Sequence, residues 1–377
     1  MSWLNRKKEA TLPIAVFDVG GSYVSAVLLG GDRNNRDIQW SIRLPLGFDA
    51  HDDFSKFSRE TFRTLGEVSS RLHSYYSGPV DDLHCLLSSP WHVAEASRVF
   101  FDDLGPVRKP EDVISNITAD SLAKHLDRHR SAGFELVPID NVVMKTFIDG
   151  QSIIKYTGLP GKTLTLHHFA SSTDNAVRRR FEEKLEPSFQ YKKAQFHSSL
   201  LSTFAVTKDA LGDDKDFAIL DVTGELTDVT IVKNGVIVSI ASFPIGKYTV
   251  ARRLAETTGR SAQTAYSELK ICGEGLMSQM EKTRLLSDLQ EIKREWLYSL
   301  DEVLSGYENH GEGLPLIIIA DDAASNLVAD WAKEGEGWGA DSRTADHEFF
   351  ADLYPNRRSE TKDIPILLAG LFAKNYL

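Results

Sequence analysis

The chain has 377 residues, 42% of them hydrophobic and 26% charged, which is the composition of a globular protein that can bury a core. Its 43 basic and 54 acidic side chains give a net charge of −11, which argues against nucleic-acid binding over most of the surface. No apolar run approaches the roughly 18 residues that span a bilayer, and the N-terminus is too short and polar for a signal peptide. Cys85 and Cys272 have no partner for a zinc site or a disulfide framework, so we expect two buried thiols in a cytoplasmic protein.

Two segments about 200 residues apart share one pattern: a buried apolar strand that ends in an aspartate, a turn with glycine, and a second strand. The first strand ends at Asp18 and is followed by a turn at residues 20–22. The second ends at Asp221, and the Asn-Gly pair at residues 234–235 then joins two Val/Ile runs, which is a strong hairpin signal. This repeat predicts two equivalent halves.

Between the two units, residues 83–190 show a different order of elements. We predict a strand, a helix at residues 119–128 capped by Thr118, further strands and a second helix, which form a small inserted α+β domain. His167 and His168 lie on an alternating strand and should face opposite sides, so we do not expect them to share a metal ion.

The rest of the chain is mostly helical. Residues 247–310 carry helical patterns, residues 316–320 form a strand, and residues 365–376 form a terminal helix. No repeat with the period of a solenoid is present. For residues 1–8, a tail without fixed structure is favoured over a weak membrane-surface contact.

The two aspartate turns carry the chemistry that the sequence suggests. Glycine lets the main chain approach phosphate oxygens, and the N–H groups of a tight turn bind anions. An aspartate before each turn can hold a hydrated Mg²⁺. One Asp-x-Gly turn is weak evidence because ordinary hairpins share it. Two such turns facing each other across a cleft would clamp a triphosphate, with Asp18 and Asp221 on the metal.

The order of these motifs resembles the actin-like ATPase superfamily and, within it, the FtsA and PilM families. Residues 14–22 are similar to the phosphate-1 strand and turn, and residues 219–229 to phosphate-2. Residues 242–246 resemble the family's Ile-Pro-Ile-Gly segment, and residues 267–270 fall on its Ala-Glu-x-x-Lys helix. Residues 157–161 are similar to part of the subdomain that is inserted in FtsA and PilM. The resemblance extends over most of residues 12–377. It implies an α/β, bilobal actin/chaperone/sugar-kinase (ribonuclease H-like) fold with an inserted small α+β subdomain.

The resemblance also implies a division of the chain. The expected parts are a first lobe with the phosphate-1 turn (12–82 and 191–213), an inserted partner-binding subdomain (83–190), a second lobe with the phosphate-2 turn and adenosine motif (214–250 and 315–364), a helical subdomain (251–314) and a C-terminal helix that packs back on the lobes (365–377).

An ATP and Mg²⁺ site follows from the same resemblance. Asp18 and Asp221 would be the metal-binding and catalytic carboxylates. The other nucleotide-contacting residues would be Gly20, Gly21, Ser22, Gly224, Thr227, Gly246, Lys270, Asp321 and Asp322.

The sequence departs from the family at this site. Asp321 and Asp322 replace glycines of the adenosine motif, and carboxylates near a polyphosphate cost affinity. Thr223 replaces a phosphate-2 glycine, and Ser267 replaces the ribose-binding glutamate. Lys247 stands where a second glycine is usual and would favour phosphate. We therefore expect a retained fold with a degenerate nucleotide site, that is, a weak ATPase or a pseudo-ATPase.

These expectations define the functional alternatives. The first is a PilM-like scaffold or adaptor at the inner face of the cytoplasmic membrane. It would dock the tail of an inner-membrane pilus-assembly protein (PilN in the PilM family) or of a division protein, in a groove beside residues 83–190. The second is an active Mg-ATP-dependent FtsA-like ATPase, and the third is a filament-forming cell-division protein. FtsA proteins usually carry a C-terminal amphipathic helix, so an end at Leu377 favours the PilM-like alternative.

Overall fold

A computed structural model gives the fold of the chain. It describes residues 12–32, 35–48, 53–102, 110–130, 133–153, 162–191, 193–306, 314–335, 341–354 and 361–377. Residues 1–8 and 157–161, which the sequence analysis used, lie outside the described residues.

The strands are β1 (Ile14–Val19), β2 (Tyr23–Asp32), β3 (Asn35–Pro45), β4 (Leu83–Leu87), β5 (Val93–Phe101), β6 (Leu136–Ile148), β7 (Gln151–Ile153), β8 (Leu164–Asp174), β9 (Ala194–Ser198), β10 (Phe217–Val222), β11 (Thr227–Lys233), β12 (Val236–Phe243), β13 (Leu316–Ala320) and β14 (Arg343–Thr344). The helices are α1 (Phe54–Tyr75), α2 (Pro110–Arg128), α3 (Asn175–Leu185), α4 (Ser199–Leu211), α5 (Lys247–Thr258), α6 (Ala262–Gly273), α7 (Gln279–Asp288), α8 (Gln290–Ser305), α9 (Ala323–Ala329) and α10 (Ile364–Tyr376).

Two five-stranded sheets have the same topology. Their strand orders are β3-β2-β1-β4-β9 and β12-β11-β10-β13-β14. In each sheet the central strand forms an antiparallel hairpin on one side, β1 with β2 and β10 with β11. On the other side it pairs in parallel with a later strand, β4 or β13. The duplication predicted from the two aspartate turns is therefore present in the fold.

The central strands are apolar throughout because helices cover both faces of each sheet. Every residue of β1 is buried. On its outer face the first sheet packs against α1 and α3, where Phe62 and Phe181 meet with ring centroids 4.8 Å apart. The second sheet packs against α5, α6 and α8 around Trp296, which is fully buried.

Helices α4 and α10 lie between the two sheets. A single apolar cluster contains residues of β1, β2, β10 and β13 together with both helices. In α10, nine successive residues from Pro365 to Ala373 are buried, which explains why this helix has no polar face. Among the described helices, none combines the length and the apolar character that a membrane crossing requires.

The inserted segment forms its own four-stranded sheet, in the order β5-β8-β6-β7, with α2 on one face. The expected boundary at residue 83 assigned β4 to this insert, whereas β4 pairs with β1 and β9 of the first sheet. Phe181 on α3 likewise packs in the core of the first lobe. These contacts leave β5 to β8 and α2 as the elements of the separate sheet.

The helix expected to start after Thr118 begins earlier. It starts at Pro110, and Thr118 lies inside it, where its hydroxyl donates to the carbonyl of Ile114. A threonine hydroxyl can bond to the preceding turn in mid-helix as well as cap an N-terminus, so the cap prediction was wrong. Both cysteines are buried free thiols, as expected.

Candidate functional site: the cleft between the two aspartate turns

The turns that follow β1 and β10 face each other and are in direct contact. A Cβ atom added to Gly21 would lie 3.4 Å from the Cβ of Thr223. A Cβ atom added to Gly224 would lie 3.2 Å from the carbonyl oxygen of Gly21. The glycines therefore allow the two turns to pack against each other, rather than against a phosphate.

The start of α5 closes the second turn. The amides of Gly246, Lys247 and Tyr248 donate to the carbonyls of Glu225, Thr223 and Gly224, respectively. Amides at a helix N-terminus form a ready anion site when they are free, but here the turn itself accepts these three hydrogen bonds. Gly246 is needed for this packing, since an added Cβ would lie 2.5 Å from the carbonyl oxygen of Gly224.

A buried ion pair occupies the same cleft. The ammonium of Lys247 contacts Asp321 at 2.5 and 2.7 Å and Asp322 at 3.0 Å, and its side chain is only 2% exposed. Burial disfavours the charged form of Lys247, but the two carboxylates outweigh it and raise the pKa of the amine. Burial likewise disfavours the charged form of Asp322, yet Lys247 and the hydroxyl of Tyr266 lower the pKa of this carboxyl to about 2.

Hydroxyl groups complete the cage around the two carboxylates. Tyr266 donates to Asp322 at 2.5 Å, and Ser325 donates to Asp321 at 2.5 Å. The hydroxyl of Ser22, on the first aspartate turn, also donates to Asp321. This last bond joins the two lobes, because Ser22 follows β1 and Asp321 follows β13.

Asp18 and Asp221 lie beneath this cage. Asp18 accepts a hydrogen bond from Tyr23 at 2.7 Å, while its other oxygen is buried and has no hydrogen-bond partner among the described residues. Burial raises the pKa of Asp18 to about 7. Burial, together with the nearby carboxylates of Asp228 and Asp321, also raises the pKa of Asp221.

The space that remains in the cleft is small. Asp18, Gly21, Ser22, Asp221 and Thr223 help to line a cavity of about 30 Å³. This volume suits water or a single cation, and the unpartnered oxygen of Asp18 has the chemistry of a hard-cation ligand. Where the resemblance implies adenosine, α6 packs directly on α9, and an added Cβ at Gly273 would lie 2.0 Å from the carbonyl oxygen of Ala323.

Comparison with known proteins identifies the fold. No protein-family model matches the sequence, and no curated protein matches it. A chain of the PilM-PilN type IV pilus biogenesis complex superposes with a TM-score of 0.61 at 10% identity, covering 96% of this chain and 98% of that chain. The chain has the actin-like ATPase fold. The fold predicted from the sequence is thus confirmed, and at this identity the likeness extends to the fold alone.

Two further solved structures with the actin-like fold superpose less closely. The ethanolamine utilization protein EutJ from Carboxydothermus hydrogenoformans has a TM-score of 0.47 at 9% identity, covering 96% of this chain and 88% of that one. A Bacteroides thetaiotaomicron protein with an actin-like ATPase fold and unknown function has a TM-score of 0.45 at 9% identity, covering 89% of this chain and 92% of that one.

The structure gathers only some of the sequence-predicted residues in the actin-like cleft. Asp18, the turn residues Gly20 to Ser22, and Asp221 line the cavity with Asp321. Thr227 instead forms hydrogen bonds within the second lobe. Its hydroxyl donates to the carbonyl of Ile245 and accepts from the indole of Trp296. Lys270 lies in the last turn of α6.

Sequence reasoning missed several residues of the cleft. Tyr23 and Tyr266 bind the predicted aspartates, and Phe48 of the first lobe packs on the ring of Tyr248 with centroids 5.1 Å apart. Arg43 lies over the ring of Tyr23 and pairs with Asp363 at 2.7 Å. A tyrosine in an apolar strand directly after a glycine turn was the one local signal for Tyr23; the other contacts are long-range.

We expect Lys247→Met to destabilise the protein by about 3–5 kcal/mol, because it leaves two buried carboxylates without their cation. The matched control is Lys333→Met, which removes an exposed ion pair with Asp330 and should cost no more than about 1 kcal/mol. Urea unfolding of both variants measures the difference. Equal losses would show that the buried pair contributes nothing beyond a surface pair.

The raised pKa of Asp18 predicts a pH dependence of stability. Between its ordinary pKa of 3.8 and about 7, the folded protein holds a proton that the unfolded chain has lost. Stability should therefore fall as pH rises through this window, with a slope of up to about 1.4 kcal/mol per pH unit from this group. Asp18→Asn should remove that part of the slope. Urea unfolding across the window tests this, and identical slopes for the two proteins would contradict it.

Proposed function

We propose that this protein is a PilM-like scaffold that docks the tail of an inner-membrane pilus-assembly protein and does not depend on ATP hydrolysis. The observation that carries the proposal is an apolar groove of about 430 Å³ between the inserted sheet and the two core helices α4 and α10. It lies beside the insert, where the sequence analysis expected a partner.

The groove runs along the edge of a strand. It is lined by six successive residues of β6, from Ile139 to Met144. Successive side chains of a strand point to opposite faces, so a groove that touches six in a row follows the strand's edge. The opposite wall is mainly apolar, with Phe204 on α4 and Phe372 on α10, and it also includes Lys208 of α4.

Within the described part of the chain, no strand pairs with this edge between Asn141 and Lys145, whereas Asp140 is buried against Ser198 of β9. One side of β6 pairs with β8 from Leu136 to Ile148. On the other side, among the described residues, β7 pairs only with Thr146–Ile148. Open strand edges accept extended peptides through main-chain hydrogen bonds, and neighbouring apolar pockets select the side chains. An extended, partly apolar peptide is the ligand that suits this surface.

The closed cleft supports a role without nucleotide turnover. Lys247 supplies the cleft with its own cation, the amides at the start of α5 are bonded to the second turn, and the turns touch. Under this proposal the nucleotide site is degenerate, and Asp18, Asp221 and the turn glycines hold the two lobes together. Mg²⁺ and ATP, implied by the resemblance, are not required for docking.

The likeness to PilM also supports a proposed partner and a proposed location. The similar structure is a complex of PilM with PilN, so a PilN-like tail is the proposed ligand. The scaffold would then be cytoplasmic and would reach the inner face of the membrane through that partner. The active FtsA-like ATPase and the filament-forming division protein remain as the alternatives that the experiments below distinguish.

We expect a fluorescently labelled tail peptide of a membrane-anchored pilus-assembly protein to bind the full chain, and Met144→Glu to weaken binding by at least about tenfold. The charge would enter an apolar wall of the groove at a cost of about 1–3 kcal/mol. The control is Phe100→Glu, a matched substitution on the insert at a side chain that is 61% exposed and outside the groove. Fluorescence anisotropy measures both, and equal binding by the two variants would place the peptide elsewhere.

Calorimetry with millimolar Mg·ATP should show no binding to the wild-type chain, and thermal unfolding should show no shift, since a ligand of the folded state raises stability. Micromolar binding that Asp221→Ala abolishes would refute the degenerate site and favour the ATPase alternative. Light scattering that rises with nucleotide would favour the filament-forming alternative.

A further inference from the structure

Three side chains of the inserted sheet come together far from the cleft. Glu95 is on β5, His125 lies in the last turn of α2, and His129 directly follows that helix, with its amide donating to the carbonyl of His125. Nδ1 of His125 is 3.4 Å from Oε2 of Glu95, and Nε2 of His129 is 3.8 Å from the same oxygen. Among the described residues this is the one group of three His, Cys, Asp or Glu side chains whose ligand atoms all lie within 4.8 Å of one another.

These separations are close to those of a tetrahedral metal site. Zinc binds nitrogen and carboxylate oxygen at about 2.0–2.1 Å, which places neighbouring tetrahedral ligands roughly 3.3 Å apart. Histidines at i and i+4 share one face of a helix, so both rings can reach one ion.

We propose that Glu95, His125 and His129 bind one transition-metal ion, with Zn²⁺ as the preferred ion. Two imidazoles and a carboxylate are three of the four ligands that zinc takes, and water or an incoming carboxylate would fill the fourth position. The site is open to solvent on one side, because His129 is exposed while His125 is 2% exposed. An ion can therefore enter from the surface and be held by a rigid inner ligand.

The surroundings of His125 fit a metal ligand. Its Nε2 lies 3.0 Å from the hydroxyl of Ser172, which is fully buried on β8. When Nδ1 binds metal, Nε2–H donates to this hydroxyl, and such a bond fixes the orientation and the tautomer of a ligating histidine.

The positive charge of Arg128 disfavours metal binding at this site. Its guanidinium pairs with the other oxygen of Glu95, and its side chain is 57% exposed. This pairing leaves Oε2 of Glu95 directed at the histidines. The positive charge beside the site lowers its affinity for a cation, and the exposed side chain can swing away when the ion binds. Removal of Arg128 should therefore tighten metal binding.

Metal binding would cross-link the end of α2 to the edge strand β5. The helix otherwise rests on the inserted sheet through apolar side chains such as Val113, Ile114 and Ile117. A bound ion adds a cross-link between two segments about 30 residues apart in the chain. The proposal is independent of the function proposed above, since the groove along β6 and the cleft contain none of these three residues.

The test is titration of the chelator-stripped full chain with Zn²⁺ by calorimetry, and with Co²⁺ by absorption spectroscopy. We expect one equivalent to bind, with the visible spectrum of tetrahedral Co²⁺. His129→Ala removes an exposed ligand and should abolish both signals. The control is His73→Ala, which removes an exposed histidine of α1 and should bind as the wild type does.

Two further variants separate a built site from chance binding by surface histidines. Ser172→Ala should weaken Zn²⁺ binding by about 10–100-fold, the usual cost of losing a hydrogen bond that orients a ligand. Arg128→Ala should strengthen it. The proposal is overturned if no single equivalent binds, or if His129→Ala binds Zn²⁺ as tightly as His73→Ala. Circular dichroism of each variant confirms that the fold is retained.

Discussion

The contact between the two aspartate turns, and the buried ion pair beside it, set the geometry of the whole molecule. Two lobes with the same sheet topology have no intrinsic reason to adopt one separation. Here the turns touch, and Ser22 of the first lobe donates to Asp321 of the second. Lys247 pairs with Asp321 and Asp322 at the same point, and a buried charge pair is costly to break because the partner left behind is uncompensated. Separating the lobes would expose this arrangement to solvent and remove the contact of Phe48 with Tyr248.

What the sequence predicted well was local. A strand that ends at Asp18 or Asp221 and turns back on itself is encoded within about 15 residues, because apolar runs and glycine turns fix both the hairpin and its register. The repetition of that unit, together with its resemblance to a known superfamily, then predicted a bilobal fold, and the equal strand orders confirm it. Strands whose place in a sheet depends on a partner far away in the sequence were harder to predict. β4 has the sequence of any buried strand, and only its pairing with β1 and β9 places it in the first sheet.

The details of the cleft could not be obtained from the sequence for the same reason. Asp321 and Asp322 were recognised as carboxylates where glycine was expected, but the cation that neutralises them lies 74 and 75 positions earlier, in Lys247. No periodicity or spacing links these residues; the start of α5 brings them together by folding onto the second turn. The cluster of Glu95 with His125 and His129 illustrates the point again. The two histidines share a helical face, yet the glutamate comes from a strand that pairs with a third element, and the expected N-cap at Thr118 placed the start of that helix too late.

The arrangement of the two lobes also affects the shape of the groove along β6. Helices α4 and α10 pack between the two sheets, in contact with strands of both, and they form the apolar wall opposite β6. A movement of the lobes relative to each other would shift these helices and change the width of the groove. The contact of the two turns and the hydrogen bond from Ser22 to Asp321 join the lobes beside these helices, and Lys247 holds Asp321 in place from within the second lobe. A preformed groove avoids the ordering cost that a mobile one would add to each binding event.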